Sequence, residues 1–163
     1  MNLRAPLLAL CLVAVPLAAF AQDFAHPWQP RSGDDWTDAR LADVNAYAAR
    51  YRDAFVDELV RYFDAPRELV EELVVDRRWA PGDVYQACAI ARVSGRPCRA
   101  VLDAWAEGYG EGWEPIARRF GIEPDSPAEL RLKQSLVDSY RRWARPIELD
   151  EALQRAARAD PGG

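Results

Sequence analysis

Residues 80–126 read APGDVYQACAIARVSGRPCRAVLDAWAEGYGEGWEPIARRFGIEPDS, and their prolines and glycines decide how this part of the chain folds. Residues 81–83, Pro-Gly-Asp, open a helix, because proline is tolerated in the first helical turn. Gly95 ends that helix, as glycine commonly does just past a helix C-terminus. Pro97 opens the next helix. The segment is therefore predicted to form consecutive short helices separated by tight turns.

A glycine-rich stretch follows these two helices. Gly108, Gly110 and Gly112 lie close together in the sequence. Because glycine is unfavourable inside a helix, this stretch is predicted to be a loop. Residues 113–120 are predicted to form another short helix, which Gly121 ends.

Trp113 lies between the glycine loop and the short helix that follows it. A large aromatic side chain at this position is either an anchor of the core or the lip of a binding groove. In the second case, Tyr109 and Trp113 would offer a ligand an aromatic platform beside Gly112. The candidate interaction residues are therefore Tyr109, Gly112 and Trp113.

Upstream of this stretch, apolar residues between positions 37 and 63 recur at steps of three and four. Such steps place them on one stripe of a long amphipathic helix. The stripe consists of Leu41, Val44, Tyr47, Tyr51, Phe55, Leu59 and Tyr62. Pro66 begins a further short helix, and Ser126-Pro127 begins one that runs to about Arg145.

No segment alternates apolar and polar residues as a half-buried strand does. The predicted fold class is all-α, a compact bundle of about five to seven mostly short helices packed on one long N-terminal helix.

The N-terminal residues predict export. A basic start containing Arg4 precedes an apolar run, which ends in Ala19-Phe20-Ala21. This is the pattern of a secretory signal peptide, and the run is too short for a stable membrane span. We expect residues 1–21 to be cleaved and the protein to be periplasmic or secreted. An uncleaved membrane anchor is the alternative.

The rest of the chain is predicted to have three parts. Residues 22–36 form a flexible arm, residues 37–145 form the helical domain, and residues 146–163 form a C-terminal extension that is weakly helical or disordered. No second apolar run could cross a bilayer after signal cleavage.

The net charge is −5 at pH 7, and loss of the leader with Arg4 makes it one unit more negative. Nucleic acids are bound mainly through lysine and arginine, so no nucleic-acid partner is expected. Half of the residues are hydrophobic, including six tryptophans. That composition is sufficient for a real core in one domain.

Cys88 and Cys98 lie outside the predicted leader. In an oxidising compartment two such cysteines tend to form a disulfide, provided that their Cα atoms approach within about 7 Å. The alternative is two small buried thiols.

The sequence contains no recognisable catalytic set. Its only histidine, His26, lies in the predicted arm, where it is poorly placed for a Ser-His-acid or Cys-His site. Zinc would need several His or Cys ligands. Residues 103–114 partly match a calcium-binding loop, but Trp105 occupies a position that needs an oxygen ligand. No catalytic residue, metal or cofactor is therefore predicted.

Residues 80–126 also resemble a group of small exported bacterial helical proteins to which no activity is assigned. The shared features are Pro-Gly-Asp-Val-Tyr at 81–85, Ser94-Gly95, Gly-Trp-x-x-Ile-Ala at 112–117 and Gly121-Ile122. The resemblance covers about a third of the mature chain and implies a helical domain.

The same stretch is similar to a sigma-type helix-turn-helix. Val101-Leu102, Glu-Gly-Tyr at 107–109 and residues 116–122 follow that outline. The resemblance implies that the next helix would be a recognition helix. Its basic side chains, which could contact phosphates, are Arg131, Lys133, Arg141 and Arg142.

Three functional hypotheses follow. The first is a non-enzymatic module of the cell envelope that binds an unidentified protein or peptide. The second is a hydrolase that uses two carboxylates on an envelope polymer. The third is a DNA-binding protein, if the chain is not exported.

Overall fold

The computed structural model describes residues 23–159, so the predicted leader lies outside the described part of the chain. Eight α-helices and no strand occur within these residues, which confirms the predicted all-α class. The helices are α1 (Asp35–Arg50), α2 (Arg52–Tyr62), α3 (Arg67–Glu71), α4 (Pro81–Ser94), α5 (Cys98–Glu107), α6 (Trp113–Arg119), α7 (Pro127–Arg142) and α8 (Glu151–Ala159).

Helix α4 lies at the centre of the domain. Its residues from Pro81 to Ala91 are buried, and α1, α5 and α7 all pack against it. Gly82 is required in its first turn, because a Cβ atom there would lie 2.7 Å from the Leu41 carbonyl oxygen of α1 and from the Trp28 indole. The predicted helix start and the predicted stop at Gly95 are both present.

The prediction of a single long helix over residues 37–63 is wrong, because the helix is broken at Tyr51 into α1 and α2. This residue has φ −130° and ψ 56°, and its N–H closes the last turn of α1 on the Tyr47 carbonyl. The break lets α1 pack against α4 while α2 packs against α3. Since both halves carry the same apolar spacing, the break follows from tertiary packing and has no local sequence signal.

A π-helical segment, Glu72–Asp76, continues α3. This segment is followed by Arg78, whose φ of 51° lies in the left-handed region. The N–H of Trp79 then donates to the Leu73 carbonyl at 2.9 Å and closes the segment.

Cys88 and Cys98 join α4 to α5. Their Sγ atoms lie 1.99 Å apart and their Cα atoms 4.5 Å apart. The short turn after Gly95 brings the start of α5 beside the middle of α4, so the predicted pairing is present.

Residues 23–34, predicted to be part of a flexible arm, run across the ends of α4 and α6. The N–H of Trp113 donates to the Pro30 carbonyl at 2.8 Å, and the N–H of Glu114 donates to the Arg31 carbonyl at 3.1 Å. The arm is thus held to the start of α6 by backbone hydrogen bonds.

The C-terminal extension contributes α8, which packs against α7. Asp150 caps this helix by accepting from the Leu153 N–H at 2.8 Å. Lys133 of α7 donates to Asp150 at 2.6 Å and to Asp34, the cap of α1, at 2.7 Å. We call Lys133, Asp34 and Asp150 the Lys133 cluster. It ties the starts of α1 and α8 to α7.

Candidate binding groove

A groove of about 370 Å³ lies between α1 and the π-helical segment. Its volume is within the range of ligand-binding pockets. Its walls come from the arm, α1, the start of α2, the π-helical segment and the start of α4. The lining residues are Asp23, Phe24, Asn45, Ala48, Ala49, Arg52, Val74, Val75, Arg78, Trp79 and Pro81.

The surface of the groove is mainly apolar. Ala48 is buried, whereas Val75 is 44 % exposed. Val74 and Trp79 are partly buried and pack against the core. Exposed apolar side chains that line a concavity are a common feature of interaction sites.

An irregular backbone forms one wall of this groove. The π-helical segment is followed by Arg78, whose left-handed conformation costs about 1 kcal/mol for a residue with a side chain. Such departures from regular geometry frequently occur at functional sites.

The arm also lines the groove and is bonded directly to Arg78. The Ala25 N–H donates to the Arg78 carbonyl at 2.8 Å, and the Asp23 carboxylate lies 2.8 Å from the Arg78 guanidinium. Both partners of this ion pair are exposed. Exposed ion pairs contribute little to stability, so Arg78 can exchange Asp23 for another carboxylate at small cost.

Arg52 and Arg78 are the two cationic side chains of the groove. Arg52 is exposed and forms no ion pair within residues 23–159. Its guanidinium is therefore available to a carboxylate, which arginine binds with two parallel hydrogen bonds.

The candidate residue Trp113 lies in the core rather than at a lip. Its side chain is fully buried and stacks on Trp105, with ring centroids 4.0 Å apart. Its Nε1 donates to the Asp83 carboxylate at 2.8 Å. A buried indole anchored in this way is not available to a partner, so the core-anchor alternative describes Trp113.

The backbone at position 112 requires glycine. Its φ is 93°, and a Cβ atom there would lie 2.7 Å from Cβ of Arg31. Only glycine therefore allows the arm to approach the start of α6 this closely.

Tyr109 is the partly exposed member of the three candidates. Its hydroxyl donates to the Pro27 carbonyl at 2.7 Å, and its ring lies 4.2 Å from that of His26. The structure thus brings Tyr109, Gly112 and Trp113 together where the arm crosses the glycine loop, and none of the three lines the groove.

Asp83 is a buried carboxyl group next to these aromatic side chains. Burial raises the pKa of Asp83 to about 7, although the hydrogen bond from Trp113 opposes the shift. Burial, and then the nearby Asp83, also raise the pKa of Tyr109. Asp83 lies under the arm and is only 7 % exposed, so its position is that of a core residue.

Two of the four basic residues assigned to a recognition helix are engaged elsewhere. Lys133 is buried in its cluster, and Arg142 lies 2.5 Å from the buried carboxylate of Glu58. Arg131 and Arg141 are exposed. Because two of the four basic side chains are held in ion pairs within the protein, α7 offers little support for the DNA-binding alternative.

No protein-family model matches the sequence, and neither the curated proteins nor the solved structures contain a significant match to it. Within residues 23–159, no helix combines the length and the apolar character that crossing a membrane requires.

Sequence reasoning missed the groove entirely. Arg52 begins α2, whereas Val75 and Arg78 lie in and just after the π-helical segment, and only the fold brings these two parts of the chain to one surface. The one local signal is the basic pair Arg77-Arg78 before Trp79, which interrupts an otherwise helical pattern.

Proposed function

We propose that the protein is an exported, non-enzymatic binding module of the cell envelope, and that its groove takes an apolar peptide segment with acidic side chains from a partner protein. The observation that carries this proposal is the groove itself. Apolar side chains form most of its lining, which also contains two guanidinium groups and the Asp23 carboxylate.

The arginines of the groove favour a partner segment that carries carboxylates. The chain as a whole is acidic, so long-range forces repel most acidic ligands. Arg52 and Arg78 give the groove a locally positive edge, to which a carboxylate-bearing segment can bind. Apolar side chains of the same segment would cover Val75 and Trp79, which removes apolar surface from water.

Two observations support export. The N-terminal residues have the order of a signal peptide, with small residues at positions 19 and 21. The Cys88–Cys98 pair is at bonding distance, and disulfides persist mainly in oxidising compartments.

Export is tested by expressing the full chain with its native N-terminus and fractionating the cells. We expect the periplasm or medium to contain a protein that starts at Gln22, identified by intact mass. Protein recovered from the cytosol with Met1 attached would contradict export.

Binding is tested by selecting displayed random dodecapeptides on the purified protein. We expect enrichment of peptides that combine large apolar residues with Asp or Glu. The affinity of one enriched peptide is then measured by fluorescence anisotropy for the wild type, for Arg52→Glu and for Arg96→Glu. Arg96 is an exposed arginine outside the groove and provides the matched control.

Arg52→Glu should weaken binding about tenfold or more, because it places a carboxylate against the carboxylates of the peptide. Arg96→Glu should leave the affinity within twofold of the wild type. Enrichment of basic peptides, or equal losses in both variants, would contradict the proposed groove.

A further inference from the structure

The start of the arm lies at the groove to which we assign a partner peptide. Asp23 and Phe24 are both lining residues of this groove. Asp23 is exposed, whereas Phe24 is partly buried. The chain therefore places an acidic and a large apolar side chain of its own at the proposed binding surface.

Two contacts hold this part of the arm to Arg78. The Asp23 carboxylate lies 2.8 Å from the Arg78 guanidinium, and the Ala25 N–H donates to the Arg78 carbonyl at 2.8 Å. Phe24 lies between these two contacts in the sequence. A second carboxylate at Arg78 would meet the like charge of Asp23, which is unfavourable until Asp23 leaves.

The next part of the arm is held differently. The carbonyls of Pro30 and Arg31 accept backbone hydrogen bonds from the start of α6, where Trp113 is fully buried. The start of the arm is held instead by one backbone hydrogen bond and an ion pair whose partners are both exposed. Because an exposed ion pair contributes little to stability, Asp23 can leave while the arm stays attached at α6.

We propose that Asp23 and Phe24 act as a built-in competitor, which occupies part of the groove until a partner peptide displaces it. This inference rests on the proposed function, since the competitor has the two chemical features of the proposed ligand, a carboxylate and a large apolar side chain. Such competition lowers the apparent affinity by the fraction of molecules whose groove is free. It favours partners that carry both features, because only these replace both side chains of the arm.

The affinity of the selected dodecapeptide tests the proposal. The Asp23→Asn/Phe24→Ala double variant should bind it about tenfold more tightly than the wild type, which corresponds to a wild-type groove that is occupied in about nine of ten molecules. If Asp23 and Phe24 were a fixed wall that contacts the peptide, the double variant would bind more weakly, and this result would overturn the proposal.

Asp53→Asn is the matched control for the loss of negative charge. Asp53 is exposed and follows Arg52 in the sequence, but it does not line the groove. Its substitution should leave the affinity within about twofold of the wild type, since a distant exposed charge is screened by salt. Equal tightening in this control and in the double variant would overturn the competitor.

Amide hydrogen exchange of the wild type, followed by NMR, measures the displacement itself. Saturation with the peptide should accelerate exchange of the Ala25 amide about tenfold, because its hydrogen bond to Arg78 is lost when the start of the arm leaves. The Trp113 amide, which donates to the Pro30 carbonyl, should exchange at an unchanged rate. Unchanged or slower exchange at Ala25 would overturn the proposal.

The outcomes separate this inference from the proposed function. Equal affinities of the wild type and the double variant, with a loss in Arg52→Glu, would retain the groove as the binding surface and overturn the competitor. If the wild type enriches no peptide, the selection is repeated on the double variant. Enrichment of acidic, apolar peptides there would support the competitor, and no enrichment on either protein would overturn both proposals.

Discussion

The Lys133 cluster and the groove place cationic side chains in opposite situations. Lys133 is 5 % exposed and contacts two carboxylates, whereas Arg52 is exposed and forms no ion pair within residues 23–159. Burial would lower the pKa of Lys133, but hydrogen bonds to Asp150 and Asp34 outweigh it and raise that pKa above its ordinary value. The comparison separates charges that maintain the fold from charges that remain available to a ligand.

The largest effect is expected from Lys133→Met. The substitution leaves Asp34 and Asp150 close together without their shared counter-charge, and removing one partner of a buried ion pair typically costs about 3–5 kcal/mol. Urea denaturation at pH 7 measures the change in the free energy of unfolding. Arg131→Met, an exposed change on the same helix, is the control and should stay within about 0.5 kcal/mol of the wild type. A loss from Lys133→Met no larger than that of the control would contradict the role of the cluster.

Asp83 sharpens the comparison, because it is a buried acid whose partner, Trp113, is a neutral donor. Its pKa is about 7 in the folded protein and 3.8 in its ordinary state. The unfolded chain therefore releases this proton first, and stability decreases as the pH rises from about 4 to about 7. Asn at this position keeps an acceptor for Trp113 and removes the titration.

Asp83→Asn should therefore stabilise the protein at pH 8 by up to about 4 kcal/mol, since each pKa unit corresponds to about 1.4 kcal/mol. The gain should shrink as the pH is lowered toward 4. Urea denaturation across this range is the measurement, and a pH-independent difference would contradict the burial of an ionisable Asp83. Asp34, whose pKa is lowered despite its burial, should show the opposite sign and lose stability in acid.

These sites also show how far the sequence alone leads. Pro81, Gly95 and Ser126-Pro127 predicted helix boundaries, because proline and glycine act through local backbone geometry. The break at Tyr51 was not predictable, because the apolar spacing continues across it. The Lys133 cluster depends on contacts between distant segments and has no local sequence signal, and the groove has only the basic pair Arg77-Arg78 before Trp79.

Removing the disulfide should change the free energy of unfolding somewhat less than Lys133→Met or Asp83→Asn. Cys88 and Cys98 are ten residues apart. A loop of this length corresponds to about 3 kcal/mol of entropy in the unfolded chain. The Cys88→Ala/Cys98→Ala double variant should lose about this much in urea denaturation and still bind the selected peptide, because neither cysteine lines the groove. Reductant should destabilise the wild type and leave the double variant unchanged, and equal responses would contradict a disulfide in solution.

The smallest effect on stability is expected in the groove. Val75→Asp changes an exposed side chain and should alter the free energy of unfolding by no more than about 0.5 kcal/mol. It should nevertheless weaken binding of the selected acidic peptide about tenfold, because it adds a negative charge to the binding surface. Ala157→Asp, an exposed change on α8, is the matched control for both measurements. A large loss of stability from Val75→Asp would show that this side chain belongs to the core.

The most direct test of the groove as the recognition surface is to follow backbone and indole NMR signals while the selected acidic peptide is added. The account predicts shifts concentrated at Arg52, Val75, Arg78 and the Trp79 indole, with the Lys133 cluster unchanged. Shifts centred instead on Tyr109 or on the face between α7 and α8, with the groove signals unmoved, would contradict it.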